Sequence, residues 1–271
     1  MKNKSKVVFF GAAGCAQAYC KNSNTLPDIF VDNDPNKWGT LLYGIEIMNP
    51  KVLSNLSIEK VVLTTSYLKE VYPQILSLGV NKDNIHVPSK SMWSNKVFQE
   101  ESIRIEAAEK LHKLFVLTSD EYSLVATGGT ALGFKRNNDF IPWDDDIDLF
   151  APFQMKNKLM DILDRLDFHY EDHSDLIMGD LTFSIALENE INIDVAVKFF
   201  DATKESFIDT FEDYKWEWPT KMFTQYAQVD VHGKLMNVPN PPEKYLSEVY
   251  GSTWSDPNPD FGYSDYEGKK S

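Results

Sequence analysis

Short apolar runs in the first third of the chain alternate with amphipathic segments. The runs have the length of buried strands, and they lie at Val7–Gly11, at a segment that ends with Asp32, at Lys60–Thr65 and at Asn84–Val87. Helices are expected between them, one through the small residues Ala16 and Ala18 and one over Tyr67–Leu78. Strands that alternate with helices predict a parallel, Rossmann-like sheet.

A different pattern follows the polar stretch Pro88–Asn95, beginning with a long helix predicted over Glu100–Leu117. The next segments are typical of a strand (Tyr122–Ala126), a glycine turn (Thr127–Thr130) and a short helix that ends at Arg136. A loop (Asn137–Trp143) and an acidic strand (Asp144–Phe150) follow. Another alternating strand lies at Asn192–Lys198. We therefore expect an α/β protein with domains over residues 1–95 and 99–256 and a polar, flexible tail over 257–271.

Charge is distributed unevenly between these two parts. The chain of 271 residues has a formal charge of −14, but residues 1–98, with 11 Lys, no Arg and 7 acidic residues, carry +4, and residues 99–271 carry −18. This asymmetry supports two units. We expect no nucleic-acid partner, because an acidic protein lacks the broad basic surface that such partners require. Any phosphate is expected to be held locally, by a metal ion or a backbone loop.

The sequence predicts no integral membrane segment. The amino-terminal apolar run is far shorter than the roughly 20 residues that cross a bilayer, and no small-residue cleavage site follows it. Cys15 and Cys20 lie in the first predicted helix and are expected to be reduced thiols. The protein is therefore expected to be cytoplasmic, or to lie at the inner face of the membrane through peripheral contact.

The loop after the first strand has two interpretations. Gly11 and Gly14 could admit a nucleotide phosphate at the start of the next helix, and Asp32 follows Gly11 by 21 residues, near the place of a ribose-binding acid. The dinucleotide-binding fingerprint is incomplete, so a plain turn capped by Asp32 and Asp34 is the other interpretation. The segment resembles the Rossmann-type modules attached to bacterial surface-polysaccharide enzymes.

The second unit contains carboxylates at spacings that bring them together. Residues i and i+2 of a strand share a face, so Asp146 and Asp148 project together while Ile147 enters the core. Two such carboxylates repel each other unless a cation lies between them, and oxygen ligands suit Mg²⁺ or Mn²⁺. Asp194, which is costly to bury without a partner, completes a three-carboxylate metal site if its strand pairs beside the first. The alternative is an ion pair between Asp194 and Lys198.

Candidate phosphate-binding groups precede the aspartates of Asp144–Asp148, the acidic run. Gly128 and Gly129 let the backbone approach a phosphate closely, and Thr130 can cap a helix whose positive end favours anions. Lys135 and Arg136 supply cationic donors. Taken singly, each feature has a structural explanation as a turn, a cap, a surface cation or a solvated loop. Their occurrence together, in this order, favours a single site.

Two segments resemble the LicD family, which includes bacterial phosphocholine transferases and fukutin-related ribitol-phosphate transferases in the nucleotidyltransferase superfamily. The first is Gly129–Arg136 followed by Asp139–Asp148, and the second is Pro239–Gly251 with Trp254. The resemblance covers roughly residues 105–256. It implies a nucleotidyltransferase-fold domain with a mixed sheet.

The family implies transfer of a substituted phosphate from a CDP-linked donor, such as CDP-choline or a CDP-polyol, to a hydroxyl of a surface glycan or its lipid-linked precursor, with release of CMP. By this resemblance Asp146 and Asp148 would hold Mg²⁺ against the diphosphate. Asp194 would be the third ligand or the base that takes the acceptor proton. Asp144 and Asp145 are the competing candidates for the base.

Other assignments remain open at this point. Trp143 would stack on the cytosine, close the pocket or serve only in packing. The same metal site also suits nucleotide transfer, in which NMP is attached to the acceptor and pyrophosphate is released. A third alternative is a non-catalytic scaffold in polysaccharide assembly.

Overall fold

The computed structural model describes residues 5–65, 67–93, 96–119, 121–173, 180–188, 191–211, 214–262 and 265–270. The chain forms two compact units, residues 1–95 together with 259–262 and residues 96–258 together with 263–271. Both contain helices and sheets, which confirms the α/β class. Residues 94–95 of the expected seam, and 263–264 and 271 of the expected tail, lie outside the described residues.

The described part of the first unit is built around one sheet. Its elements are β1 (Lys6–Phe10), α1 (Gly14–Ser23), β2 (Ile29–Val31), β3 (Leu41–Leu42), β4 (Ile45–Met48), β5 (Ile58–Leu63), α2 (Leu68–Ser77), β6 (Ile85–His86) and α3 (Lys90–Trp93). The strand order is β3-β4-β2-β1-β5-β6. Its pairs are parallel apart from β3 with β4, which confirms the Rossmann-like sheet and adds an antiparallel edge strand.

Alternate residues of β1 pack on opposite faces of this sheet, as the two-residue period of a strand requires. Val8 and Phe10 are buried in one cluster with Ile75 of α2. Phe9 is buried in a second cluster with Ala16 of α1. Burial of such side chains contributes about 1.5–3 kcal/mol each, so the two helices and the central strand account for much of the core of this unit.

The second unit contains the longer helix and the acidic strands. Its elements are α4 (Glu101–Thr118), β7 (Val125–Ala126), α5 (Gly128–Asn137), β8 (Asp146–Pro152), α6 (Lys156–Arg165), β9 (Tyr170–Asp172), β10 (Asp180–Ala186), β11 (Asn192–Phe200), β12 (Ser206–Phe211), β13 (Tyr214–Pro219), α7 (Lys221–Thr224), β14 (Ala227–Val231), β15 (Lys234–Val238), α8 (Pro242–Tyr250) and β16 (Lys269–Lys270). Among the described residues, no helix is both long and apolar enough to cross a membrane.

A mixed sheet organises this unit, as the family resemblance implies. Its described strands have the order β7-β8-β11-β10-β9. β8 and β11 are parallel, whereas the other neighbouring pairs are antiparallel. The strands β12, β13 and β16 form a further sheet, and β14 pairs with β15. Because β8 and β11 are adjacent, the two acidic segments of the sequence lie side by side.

The carboxyl-terminal segment differs from the flexible tail expected over residues 257–271. The strand β16 pairs with β13, and the Glu267 amide donates to the Val249 carbonyl oxygen at 3.1 Å. The ring of Tyr266 packs against a cluster formed by Phe211, Tyr214, Trp216 and Tyr250. The expectation is therefore wrong for residues 265–270, because one aromatic anchor and a short strand order a segment whose composition is polar.

Candidate active site

The glycine turn joins β7 to α5 and lies directly against β8. The Thr127 amide donates to the Asp148 carbonyl oxygen at 2.9 Å, and the Asp148 amide donates to Thr130 Oγ1 at 3.0 Å. Thr130 therefore binds β8 with its side chain and is not the helix cap we expected. Gly128 has a φ of +53°, which favours glycine, and a Cβ there would lie 2.9 Å from Asp148 Oδ2.

Three consecutive carboxylates converge at the start of β8. Asp144, Asp145 and Asp146 each offer an oxygen, and these oxygens all lie within 4.8 Å of one another. Asp144 is buried, with 7% of its surface exposed, and its Oδ2 occupies the place that a Cβ on Gly129 would take. The glycine turn and the acidic run are thus in direct contact.

Asp194 lies beside the acidic run. The register of β8 and β11 places it opposite Asp146, and residues opposite each other on paired strands share a face. The side chain is exposed, so it does not carry the burial cost that we expected. Ser184 Oγ donates to Asp194 Oδ1 at 2.8 Å. Lys198, the alternative partner, has its Nζ 3.3 Å from Asp209 Oδ1.

The structure therefore regroups the carboxylates that the sequence analysis proposed. Of the three predicted metal ligands, Asp146 belongs to the convergent group of the described residues, together with Asp144 and Asp145, which were predicted as bases. Asp148 and Asp194 lie outside this group on the same face of the sheet. A turn leads into this group, closed by the Asp144 amide, which donates to the Ile141 carbonyl oxygen at 3.0 Å.

The two predicted phosphate-binding cations have different environments. Lys135 Nζ lies 2.8 Å from Glu243 Oε1, and this hydrogen bond lowers the pKa of Glu243. Arg136 Nε donates to Asn137 Oδ1 at 2.8 Å, and its guanidinium lies 5.8 Å from the centre of the Trp143 ring. Within the described structure the buried Nη2 of Arg136 has no hydrogen-bond acceptor. Burial lowers the pKa of Arg136, so an anion beside it would be favoured.

Tyr245, to which the sequence analysis gave no role, contacts the glycine turn. The Gly128 amide donates to its hydroxyl oxygen at 2.9 Å, so this amide is bonded within the protein. Burial and the carboxylate of Asp209 raise the pKa of Tyr245 far above its usual value. The sequence signal was the position of this tyrosine inside the Pro239–Gly251 segment.

The glycine loop of the first unit is filled by its own contacts. Asp32 Oδ2 accepts from the Ala12 amide at 2.8 Å and lies 2.9 Å from Lys37 Nζ, while Oδ1 accepts from the Asp34 amide at 2.9 Å. Burial raises the pKa of Asp32, but these hydrogen bonds lower it more, so its pKa lies below the usual value. A Cβ on Gly11 would overlap the carbonyl oxygen that follows β5. These contacts support the interpretation as a plain turn.

Comparison with known proteins gives partial likenesses along the chain. A Caenorhabditis elegans protein, T07A5.1, is 25% identical over 224 residues, which cover 66% of this chain and 56% of that protein. The chain therefore spans little more than half the length of this curated relative. UDP-D-quinovosamine 4-dehydrogenase from Vibrio fischeri is 26% identical, with a TM-score of 0.25 over 31% of this chain and 75% of that structure. An antigenic nucleotidyltransferase-like protein from Paracoccidioides brasiliensis is 16% identical, with a TM-score of 0.34 over 57% of this chain and 65% of that structure.

The glycine turn, the acidic run and the strand of Asp194 all fall within one family match. Residues 121–241 match the family described as LicD/FKTN/FKRP, nucleotidyltransferase domain. The match leaves out the first unit and begins after α4. Residues 121–241 of the second unit are thus similar to the LicD-family nucleotidyltransferase domain.

Proposed function

We propose that the protein is a metal-dependent phosphotransferase that moves a substituted phosphate from a CDP-linked donor to a hydroxyl of a surface glycan or its lipid-linked precursor, releasing CMP. The observation that carries the proposal is the contact between the glycine turn and the acidic run inside the LicD domain, where Gly129 leaves room for Asp144. Phosphoryl transfer needs positioning and charge neutralisation more than covalent help, and the carboxylates of this contact would hold a cation that neutralises the diphosphate.

The acidic run fits a hard divalent cation. Its donors are carboxylate oxygens from Asp144, Asp145 and Asp146, close enough together to share one ion, and such oxygens are the ligands that Mg²⁺ and Mn²⁺ prefer. When bound, the cation would neutralise charge on the diphosphate and make its phosphorus more electrophilic. Asp148, on the same strand face as Asp146, would serve as a further ligand.

The remaining residues would position the substrates and move the proton. Asp194 is exposed, and its carboxylate is oriented by Ser184, so it suits the base that accepts the proton of the acceptor hydroxyl as its oxygen bonds to phosphorus and the bond to CMP breaks. The buried Nη2 of Arg136 has no acceptor among the described residues, which suits a phosphate oxygen. Lys135 is engaged by Glu243 and is left out of this assignment.

The test is product analysis by ³¹P NMR and mass spectrometry. The purified full chain is incubated with Mg²⁺ and CDP-choline, CDP-glycerol, CDP-ribitol or CTP, each with and without a glycan extract. We expect CMP and a phosphorylated glycan from one CDP-linked donor. Asp146→Asn should lower the rate by at least about 100-fold, since it removes a carboxylate at the reacting centre. Asp161→Asn, an exposed carboxylate on α6, is the matched control and should retain activity.

Two results would contradict the phosphotransferase proposal. Pyrophosphate released from CTP would assign nucleotide transfer to the same site. Equal function of wild type and Asp146→Asn in restoring surface polysaccharide to a deletion strain would support the scaffold alternative.

A further inference from the structure

The helix α8 follows the segment matched to the family and contacts both ends of α5, which lies within that segment. At the carboxyl end of α5, Lys135 is paired with Glu243. At the amino end, Gly128 donates its amide hydrogen to the hydroxyl of Tyr245 at 2.9 Å. The second contact is the more consequential, because it reaches the residue that packs against the carboxylate of Asp148.

Tyr245 is held rigidly and remains a neutral acceptor. Its side chain is 3% exposed, and its ring packs against Trp218 and Phe223 with centroid distances of 5.0 and 5.9 Å. Burial, together with the carboxylates of Asp209 and Asp148, disfavours the phenolate. The acceptor of the Gly128 amide is therefore a neutral, buried hydroxyl.

The hydrogen bond to the Tyr245 hydroxyl restricts the backbone of the glycine turn at Gly128. The Thr127 amide is bonded to Asp148 and the Thr130 hydroxyl accepts from the same residue, so the turn is bound to β8 on both sides of Gly128. Gly128 has no side chain to restrict its backbone, and glycine adopts both positive and negative φ readily. The bond to Tyr245 fixes the peptide plane at that point.

We propose that Tyr245 is a positioning residue of the transfer reaction, which fixes the Gly128 peptide so that the amino terminus of α5 and the carboxylates of Asp144 and Asp148 keep a productive geometry. This proposal rests on the proposed function of the same site. It assigns a task to α8, which lies beyond the matched segment. A small misplacement at a reacting centre is costly, so one buried hydrogen bond can affect the rate strongly.

The test compares Tyr245→Phe with two control variants of the full chain. Tyr245→Phe keeps the ring and removes the acceptor. Tyr170→Phe removes a phenolic hydroxyl on β9, away from the site. Trp218→Phe reduces the packing around Tyr245 but leaves its hydroxyl.

Two readouts are measured, namely kcat and KM for the CDP-linked donor that the wild type uses, and amide hydrogen exchange of peptides covering residues 125–135. We expect Tyr245→Phe to lower kcat about tenfold, to leave KM within about threefold, and to speed exchange at the turn. Both control variants should keep the wild-type kcat and exchange at the turn.

Unchanged kcat and unchanged exchange in Tyr245→Phe would overturn the proposal, as would an equal loss of kcat in Trp218→Phe, which would assign the effect to packing. If the wild type turns over no CDP-linked donor, the proposed function fails by that result. Faster exchange in Tyr245→Phe would then still support the fixing of the turn, and unchanged exchange would refute it.

Discussion

Two neighbouring glycines give the carboxylates of the site the space they occupy. A side chain at Gly128 would press on Asp148, and one at Gly129 would overlap Asp144. The effect is local and steric, because the contact atoms are carboxylate oxygens that the proposed metal site also needs. Substitution at Gly129, which does not have the positive φ of Gly128, should therefore affect activity far more than folding.

Gly129→Ala is expected to lower the rate of CMP release on the order of 100-fold, because the new Cβ displaces the Asp144 carboxylate by enough to misplace the reacting groups. Stability should change little, since alanine is the better helix former by about 1 kcal/mol. The control is Gly14→Ala at the start of α1, where a Cβ meets nothing within 4 Å. Gly129→Ala with wild-type turnover would contradict the assignment of this turn to the site.

The lowered pKa of Asp32 predicts that the stability of the first unit depends on pH. Its pKa in the folded state lies below the usual 3.8 because hydrogen bonds from Asp34, Lys37 and Ala12 outweigh burial. The stabilisation is therefore fully present above pH about 4 and is lost as the pH falls through the folded-state pKa. Asp32→Asn should lower the free energy of unfolding by about 2 kcal/mol at pH 7.

The measurement is denaturant unfolding of wild type and Asp32→Asn between pH 3 and 7. The difference between the two proteins should be constant near neutrality and shrink in acid. Asp83→Asn, an exposed carboxylate in the same unit, serves as the comparison and should follow the wild type throughout. A difference that grows as the pH falls would show that the sign of the effect is wrong.

At the scale of elements, apolar periodicity predicted the parts that have a strong pattern of their own. The strands β1, β5, β8 and β11 and the helices α2, α4 and α5 overlap the segments expected from sequence. The hairpin pairs β12–β13 and β14–β15 were not predicted. In β13, buried Tyr214, Trp216 and Trp218 alternate with exposed charged residues, so a two-residue strand period was present in the sequence and was missed.

The segment carrying β16 shows how a few residues can order a polar stretch. Tyr266→Ala is expected to lower the free energy of unfolding by about 2 kcal/mol, since it removes contacts with several aromatic rings. Thermal unfolding measures the effect. Tyr67→Ala, at a side chain that is 69% exposed, should leave the midpoint unchanged. An equal midpoint for wild type and Tyr266→Ala would mean that the segment does not pack in solution.

At the scale of the whole molecule, the charge of −14 makes cations stabilising in two ways. Any salt screens the repulsion among carboxylates, whereas Mg²⁺ bound at the acidic run adds a specific term. With Mg²⁺ at about 100 times its dissociation constant, that term is about 2.7 kcal/mol. The midpoint of thermal unfolding should therefore rise by several degrees beyond the rise produced by KCl at equal ionic strength.

The comparison protein for this measurement is Asp146→Asn, in which the specific rise should disappear while the effect of KCl persists. A rise of the same size in both proteins would mean that Mg²⁺ acts only as a screening salt. The measurement needs neither a donor nor an acceptor, so it tests the metal site separately from the reaction.

The sequence by itself indicated the two units, their α/β class, the similarity to the LicD domain and the carboxylates and glycines of the candidate site, because these depend on local patterns: the strand period of two, turn residues and a contiguous motif. Tertiary structure decided how the carboxylates group, which cation is free to meet a phosphate, and that Tyr245 binds Gly128. Those contacts join residues far apart in the chain, such as Gly128 and Tyr245 or Asp146 and Asp194. Local pattern cannot rank such pairings, since strand register, helix docking and side-chain orientation are chosen by the packing of the whole unit.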